Sequence, residues 1–163
     1  MSGYAEEPRT VVICGSMKSH TLMSRIALVI EGAGLDVVAP SPDGVSDNAA
    51  IDSAMMCKRE ASRRHMQQIR NPETAAVLVV NVDRPGAHDY IGPNALAEIG
   101  VAFADERKVF LLQGMPKPYE DELKAWGVTC LNGDLRPMLR ALSAPAAVDW
   151  TAWKHTLESE LVC

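Results

Sequence analysis

Residues 75–112 read AAVLVVNVDRPGAHDYIGPNALAEIGVAFADERKVFLL, a pattern that predicts a strand, a helix and a second strand in succession. Residues 75–82 are apolar almost throughout, which is typical of a strand covered on both faces. Residues 93–105 begin with proline, which suits the first helical position because no N–H is needed there. Residues 109–112 form the next apolar run. This segment therefore predicts a βαβ unit and an α/β protein.

The same alternation continues on both sides of this unit. Three further strands are predicted from short apolar runs, at residues 10–14, 35–39 and 128–131. Four further helices are predicted from helical spacing of apolar residues, at 21–31, 49–70, 119–126 and 135–142. Together they predict a doubly wound, flavodoxin-like or Rossmann-like parallel sheet of five strands flanked by helices. Ligands bind such sheets at the carboxyl edge, where three predicted loops lie, at 15–19, 40–48 and 83–93.

The chain of 163 residues is expected to form one α/β domain over residues 1–143. Residues 144–163 then supply an Ala/Pro-rich linker and a C-terminal amphipathic helix. Trp150, Trp153, Leu157 and Leu161 fall at helical spacing in that helix. Two interpretations stay open for its apolar face: it docks on its own domain, or it forms a dimer contact.

Composition excludes several classes of protein. The net charge of −5 argues against sequence-independent binding of a nucleic acid polymer, which needs a basic surface. The apolar runs are shorter than the roughly 18 residues of a membrane span, and residues 1–9 are too polar and acidic for a secretory signal. The cysteines form no CxxC pair and the histidines show no metal-ligand spacing. We therefore expect a cytoplasmic protein with reduced thiols, no metal and no cofactor.

Glu98 is the leading candidate for chemistry. It is the one acid among apolar or small neighbours on its predicted helix, where an unpaired charge is costly to bury. Asn94 lies four residues earlier on the same face, and Gly92 lies at the helix entrance, where free N–H groups attract anions. Glu98 is interpreted either as a surface or ion-paired acid, or as a nucleophile of glycosyl transfer.

Two loops supply weaker candidates at the same edge. Gly15 allows close approach of a ligand after the first strand, and Ser16 and Lys18 are candidates for holding a phosphate. The alternative is a plain tight turn with an exposed lysine, because neither G-x-G-x-x-G nor a Walker loop is present. Cys14 is interpreted as a buried apolar residue rather than a nucleophile.

Four polar residues complete the candidate set. His65 is either a structural histidine or a general acid/base, for which its ordinary pKa suits neutral pH. Asn81 either orients a sugar or base, or caps the loop that follows its strand. Asp89 is a polar loop residue beside the site, and Tyr90 is a candidate for stacking on a base.

Residues 10–131 resemble the nucleoside 2-deoxyribosyltransferase-like superfamily, which includes N-glycosidases of nucleoside 5′-monophosphates. The resemblance rests on five blocks: VICGS (12–16), VLVVN (77–81), YIGPN (90–94), EIGVA (98–102) and KVFLL (108–112). HM at 65–66, together with Asn81 and YIG at 90–92, resembles a little-characterised bacterial branch. Members commonly form homodimers whose sites borrow residues from the neighbouring subunit.

The resemblance implies roles for individual residues. Glu98 would be the nucleophile that captures the sugar C1′, Gly15 and Ser16 would line the pocket, and Gly92 and Asn94 would hold the phosphate. His65 stands where active members carry an aspartate that handles the proton and the base.

Three hypotheses follow. The first is a hydrolase or transferase that acts on the N-glycosidic bond of a nucleoside or nucleoside 5′-monophosphate. The second is a nucleotide-binding sensor or regulatory module without catalysis, motivated by His65 in the place of the aspartate. The third is a flavodoxin-like partner protein with a vestigial pocket. The residues leave open the base, the sugar and the acceptor.

Overall fold

The computed structural model describes residues 7–41 and 51–161. Most of the loop predicted at 40–48 lies outside these residues. The strands are β1 (Thr10–Gly15), β2 (Asp36–Val38), β3 (Thr74–Val80), β4 (Lys108–Leu111) and β5 (Thr129–Cys130). The helices are α1 (His20–Gly32), α2 (Ile51–Arg70), α3 (Pro93–Ala104), α4 (Glu120–Ala125), α5 (Arg136–Ala141) and α6 (Trp150–Leu161). Short 3-10 turns precede α1 at Met17–Ser19 and α4 at Lys117–Tyr119.

The five strands form one parallel sheet in the order β2-β1-β3-β4-β5, which confirms the predicted doubly wound α/β fold. The order reverses between β1 and β3. Loops leaving these two strands therefore diverge to opposite faces of the sheet and open a crevice at its carboxyl edge. Both the β1–α1 loop and the β3–α3 loop end at this crevice.

Alternating residues of the central strands build two cores. Val11 and Ile13 of β1 belong to the core beneath α1, α5 and α6, whereas Val12 and Cys14 belong to the core beneath α2, α3 and α4. This is the two-residue period of a strand, in which successive side chains point to opposite faces. The period places the Cys14 side chain on the same side of the sheet as α2 and α3.

Helix α6 docks on its own domain, which is one of the two arrangements that the sequence left open. Trp153 is buried in the core, and its indole Nε1 donates to the Gly133 carbonyl oxygen over 3.1 Å. Glu160 adds an ion pair with Arg25 of α1 at 2.9 Å. No helix within residues 7–41 and 51–161 combines the length and apolar character needed to cross a membrane.

Candidate functional site

Glu98 lies in the second turn of α3, and its side chain is buried against the sheet. Only 3% of the residue is exposed. The Asn94 amide Nδ2 donates to Glu98 Oε1 over 3.2 Å, and the Ser62 hydroxyl of α2 donates to Asn94 Oδ1 over 3.2 Å. Among the described residues, Glu98 forms no ion pair with a lysine or arginine. The interpretation of Glu98 as a surface or ion-paired acid therefore does not describe this side chain.

Two further polar side chains meet Glu98 beneath α2 and α3. Cys14 Sγ, on β1, lies 3.4 Å from His65 Nε2, on α2. The thiol, a ring nitrogen and a carboxylate oxygen of these three residues lie within 4.8 Å of one another. We call this group the Cys14–His65–Glu98 cluster. Its members come from three elements far apart in the chain, so no local spacing indicates the cluster.

Burial sets the protonation of the cluster. Burial raises the pKa of Glu98 from 4.5 to about 7, and the hydrogen bond with Cys14 offsets part of that rise. Burial also lowers the pKa of His65, opposed by a hydrogen bond with the backbone of Ile13. The pKa of Cys14 is raised well above its usual range, first by burial and then by the Glu98 charge. Near neutral pH, Cys14 is thus a thiol, His65 is a neutral imidazole, and Glu98 is about half ionised.

A small polar cleft lies beside the cluster, at the reversal of strand order. The end of β1 and the residues that lead into α3 form its wall. The glycines and polar residues in this wall are Gly15, Ser16, Ser19, Arg84, Tyr90 and Gly92. The Arg84 guanidinium lies 4.3 Å from the centroid of the Tyr90 ring. No side chain caps the start of α3. A cation and a helix start facing one cleft suit an anionic group such as a phosphate.

A side chain would be crowded at Gly15, where the cluster and the cleft meet. A Cβ atom on Gly15 would lie 3.1 Å from the Met23 sulfur and 3.3 Å from the Val80 carbonyl oxygen. Both contacts are closer than ordinary van der Waals separation. The absence of a side chain therefore lets β1 pack closely on β3 while the following residue, Ser16, turns into the cleft.

Asn81 and Asp89 connect the loops that follow β3 and β4. Asn81 is fully buried, and its amide nitrogen donates to the carbonyl oxygens of Asp89, over 3.3 Å, and Gly114, over 2.8 Å. Its amide oxygen accepts from the Gln113 N–H over 2.9 Å, and the Asp89 carboxylate accepts from the Gly114 N–H over 3.1 Å. Asn81 thus ties together the loops after β3 and β4, which matches its interpretation as a residue that caps the loop.

Seven of the ten predicted site residues fall into two neighbouring groups. Gly15, Ser16, Tyr90 and Gly92 line the cleft. His65, Asn94 and Glu98 lie together at the cluster and are not in the cleft wall. Adjacent residues of β1, Cys14 and Gly15, join the two groups.

Lys18 is exposed outside the cleft wall, and its backbone N–H donates to Ser16 Oγ over 3.3 Å. The structure therefore shows Lys18 as part of a turn. Arg84 belongs to a loop without periodicity, and no pattern in the sequence indicates that it lines the cleft. Cys14 was expected to be a buried apolar residue and was not among the predicted site residues. The available signal was the alternation of β1, which places Cys14 on one face of the sheet, together with a helix that carries Glu98.

Comparison with protein-family models found no matching family, and comparison with curated proteins found no matching protein. The superfamily resemblance therefore stays a prediction from the sequence motifs.

Proposed function

We propose that this protein cleaves or exchanges the N-glycosidic bond of a nucleoside or nucleoside 5′-monophosphate, with Glu98 as the nucleophile. One observation carries the proposal: Glu98 is a buried carboxylate without a cationic partner in the described chain, next to a polar cleft at the carboxyl edge of the sheet. A carboxylate that is not neutralised by an ion pair keeps its electron density for attack. The Asn94 amide, at 3.2 Å, orients one of its oxygens and leaves the other free of that donor.

The reaction would proceed in two displacements. A Glu98 oxygen forms a bond to the sugar C1′ while the bond from C1′ to the base nitrogen breaks. The base leaves with the bonding electrons and takes up a proton from water. Water, or a second base, then attacks C1′ and releases the Glu98 carboxylate. Two inversions at one carbon retain its configuration. The pKa of about 7 makes the ionised carboxylate more basic than an exposed glutamate.

The state of His65 favours a role in the second displacement. Because burial lowers its pKa, the ring is neutral at neutral pH and is better suited to accept a proton than to donate one. Proton acceptance from the attacking water is consistent with this state. Delivery of a proton to the leaving base is less consistent with a neutral His65 ring.

The cleft supports a nucleotide as the substrate class. Arg84 forms no ion pair among the described residues, so its charge remains available to a phosphate. Ser16 and Ser19 add hydroxyl groups to the same wall. Arg84 lies over one face of the Tyr90 ring, so stacking on a base would use the opposite face.

A second function, nucleotide binding without turnover, is favoured by a specific observation. Glu98 is 3% exposed and is absent from the wall of the cleft that would hold the phosphate. A sugar bound in the cleft would reach Glu98 only if the wall of the cleft opened. A sensor or regulatory module would use the cleft alone.

Incubation with a panel of nucleosides and 5′-monophosphates, followed by chromatography of the free bases, tests the first function. We expect base release by the wild type, loss of release in Glu98→Gln, and retention in Glu31→Gln, whose side chain is exposed at the end of α1. Release at the wild-type rate by Glu98→Gln would remove Glu98 from the mechanism. Nucleotide binding in calorimetry without any base release would support the second function instead.

A further inference from the structure

Cys14, His65 and Glu98 present three metal-ligand atoms to one point between β1, α2 and α3. The sulfur and the His65 Nε2 are 3.4 Å apart, and all three ligand atoms lie within 4.8 Å of one another. In tetrahedral zinc sites, with metal–ligand distances of about 2.0–2.3 Å, ligand atoms are separated by about 3.5 Å. The edge between sulfur and nitrogen is therefore already formed, and the two edges to the Glu98 oxygen would shorten by about 1.3 Å at most.

The chemistry of the three ligand atoms indicates which cation the cluster would bind. One thiolate sulfur, one imidazole nitrogen and one carboxylate oxygen make a mixed set of the type that binds zinc. Magnesium and calcium require several oxygen ligands, and the cluster offers a single carboxylate. A divalent transition metal of borderline softness is thus the cation that these residues match.

Other groups already hold two of the three ligands in place. The His65 ring hydrogen-bonds the backbone of Ile13, and Asn94 holds Glu98 Oε1 while Ser62 holds Asn94. Outer contacts of this kind orient ligating side chains in metal sites. No lysine or arginine of the described chain neutralises Glu98, so a cation would supply the charge that the cluster lacks.

We propose that Cys14, His65 and Glu98 form a zinc site with a fourth position left to water. The site goes beyond glycosyl transfer and does not depend on it. Binding displaces the thiol proton, and the carboxyl proton where it is present, to the buffer. Because Glu98 belongs to both sites, zinc binding and attack on a sugar exclude each other, and zinc is expected to inhibit any base release.

Metal titration of the full chain after removal of metal with a chelator tests the site. We expect one Zn²⁺ per chain in calorimetry, and a thiolate-to-cobalt charge-transfer band when Co²⁺ is used as the probe. Cys14→Ser should lose that band. Cys57→Ser should keep it and is the matched control, because Cys57 is an exposed thiol of α2.

His65→Gln is the second variant, which keeps the test decisive if Cys14→Ser fails to fold. Loss of a direct ligand should weaken zinc binding by more than about 100-fold, the upper range for loss of an outer contact. The site is refuted if the wild type binds no stoichiometric metal, or if neither Cys14→Ser nor His65→Gln weakens binding. These readouts need no enzymatic activity, so failure of the glycosidase proposal leaves them interpretable.

Discussion

Replacement of Glu98 by glutamine should stabilise the folded protein above neutral pH. Burial raises the pKa of Glu98 from 4.5 to about 7, so the folded state holds the proton more tightly than the unfolded chain. Since each unit of pKa difference corresponds to about 1.4 kcal/mol, ionisation at pH 8 lowers the free energy of unfolding by about 3 kcal/mol. Glutamine has the shape of the protonated side chain and cannot ionise, so it avoids this loss.

The sign of the pH dependence follows from the raised pKa. Below pH 4.5 Glu98 is protonated in both states, and the wild type and Glu98→Gln should have similar stability. Between pH 4.5 and about 7 the unfolded chain ionises first, and the wild type becomes progressively less stable than the variant. Above pH 7 the difference should become constant. Groups that lie far from Glu98 and are common to both proteins cancel in the comparison.

Urea unfolding of both proteins from pH 4 to pH 8, with chelator present to remove metal, measures this difference. For a domain of this size, about 3 kcal/mol corresponds to a difference of roughly 6–12 °C in melting temperature at pH 8. Glu31→Gln controls for the loss of one negative charge, because its side chain is exposed. Equal stabilities of wild type and Glu98→Gln at pH 8 would refute the inference that burial suppresses the ionisation of Glu98.

Three further predictions concern the loops after β3 and β4, the docking of α6, and the cleft. Asn81→Ala leaves buried backbone groups without hydrogen-bond partners, so it should lower the free energy of unfolding, measured by urea titration, by about 2–4 kcal/mol. An unchanged midpoint would contradict the role of Asn81 in tying the two loops together. Trp153→Phe removes the donor to the Gly133 carbonyl and should cost about 1–2 kcal/mol in the same assay, and no loss would mean that α6 is not docked. Arg84→Ala should weaken binding of 5′-monophosphates about tenfold or more in calorimetry and leave nucleosides unaffected; equal effects on both would exclude a phosphate contact.

Much of the fold was predictable because its elements carry local signals. The apolar run of β3 and the proline at the start of α3 predicted a strand and a helix that the structure contains. Strand order is set by long-range pairing, but alternation of strands and helices restricts the order to a few parallel arrangements. Boundaries shifted by only a few residues, as at the end of β3 and at both ends of α4.

The site was less predictable because it depends on contacts between distant segments. The position of Glu98 near the start of an apolar helix indicated its importance, and its burial without an ion pair agrees with that reasoning. The contact between Cys14 and His65 joins residues 51 apart in the chain, which no spacing rule detects. Asn81 could not be assigned a role from the sequence for a different reason. A polar residue at the end of a strand can contact a ligand or support a loop, and only its hydrogen-bond partners distinguish the two.

The claim that the buried Glu98 carboxylate attacks a sugar is tested most directly by mass spectrometry of the protein after acid quenching. With a nucleoside or 5′-monophosphate from which the wild type releases base, we expect a sugar or sugar-phosphate adduct on the peptide that contains Glu98, and none in Glu98→Gln. Base release by Glu98→Gln, or an adduct on a different peptide, would contradict it.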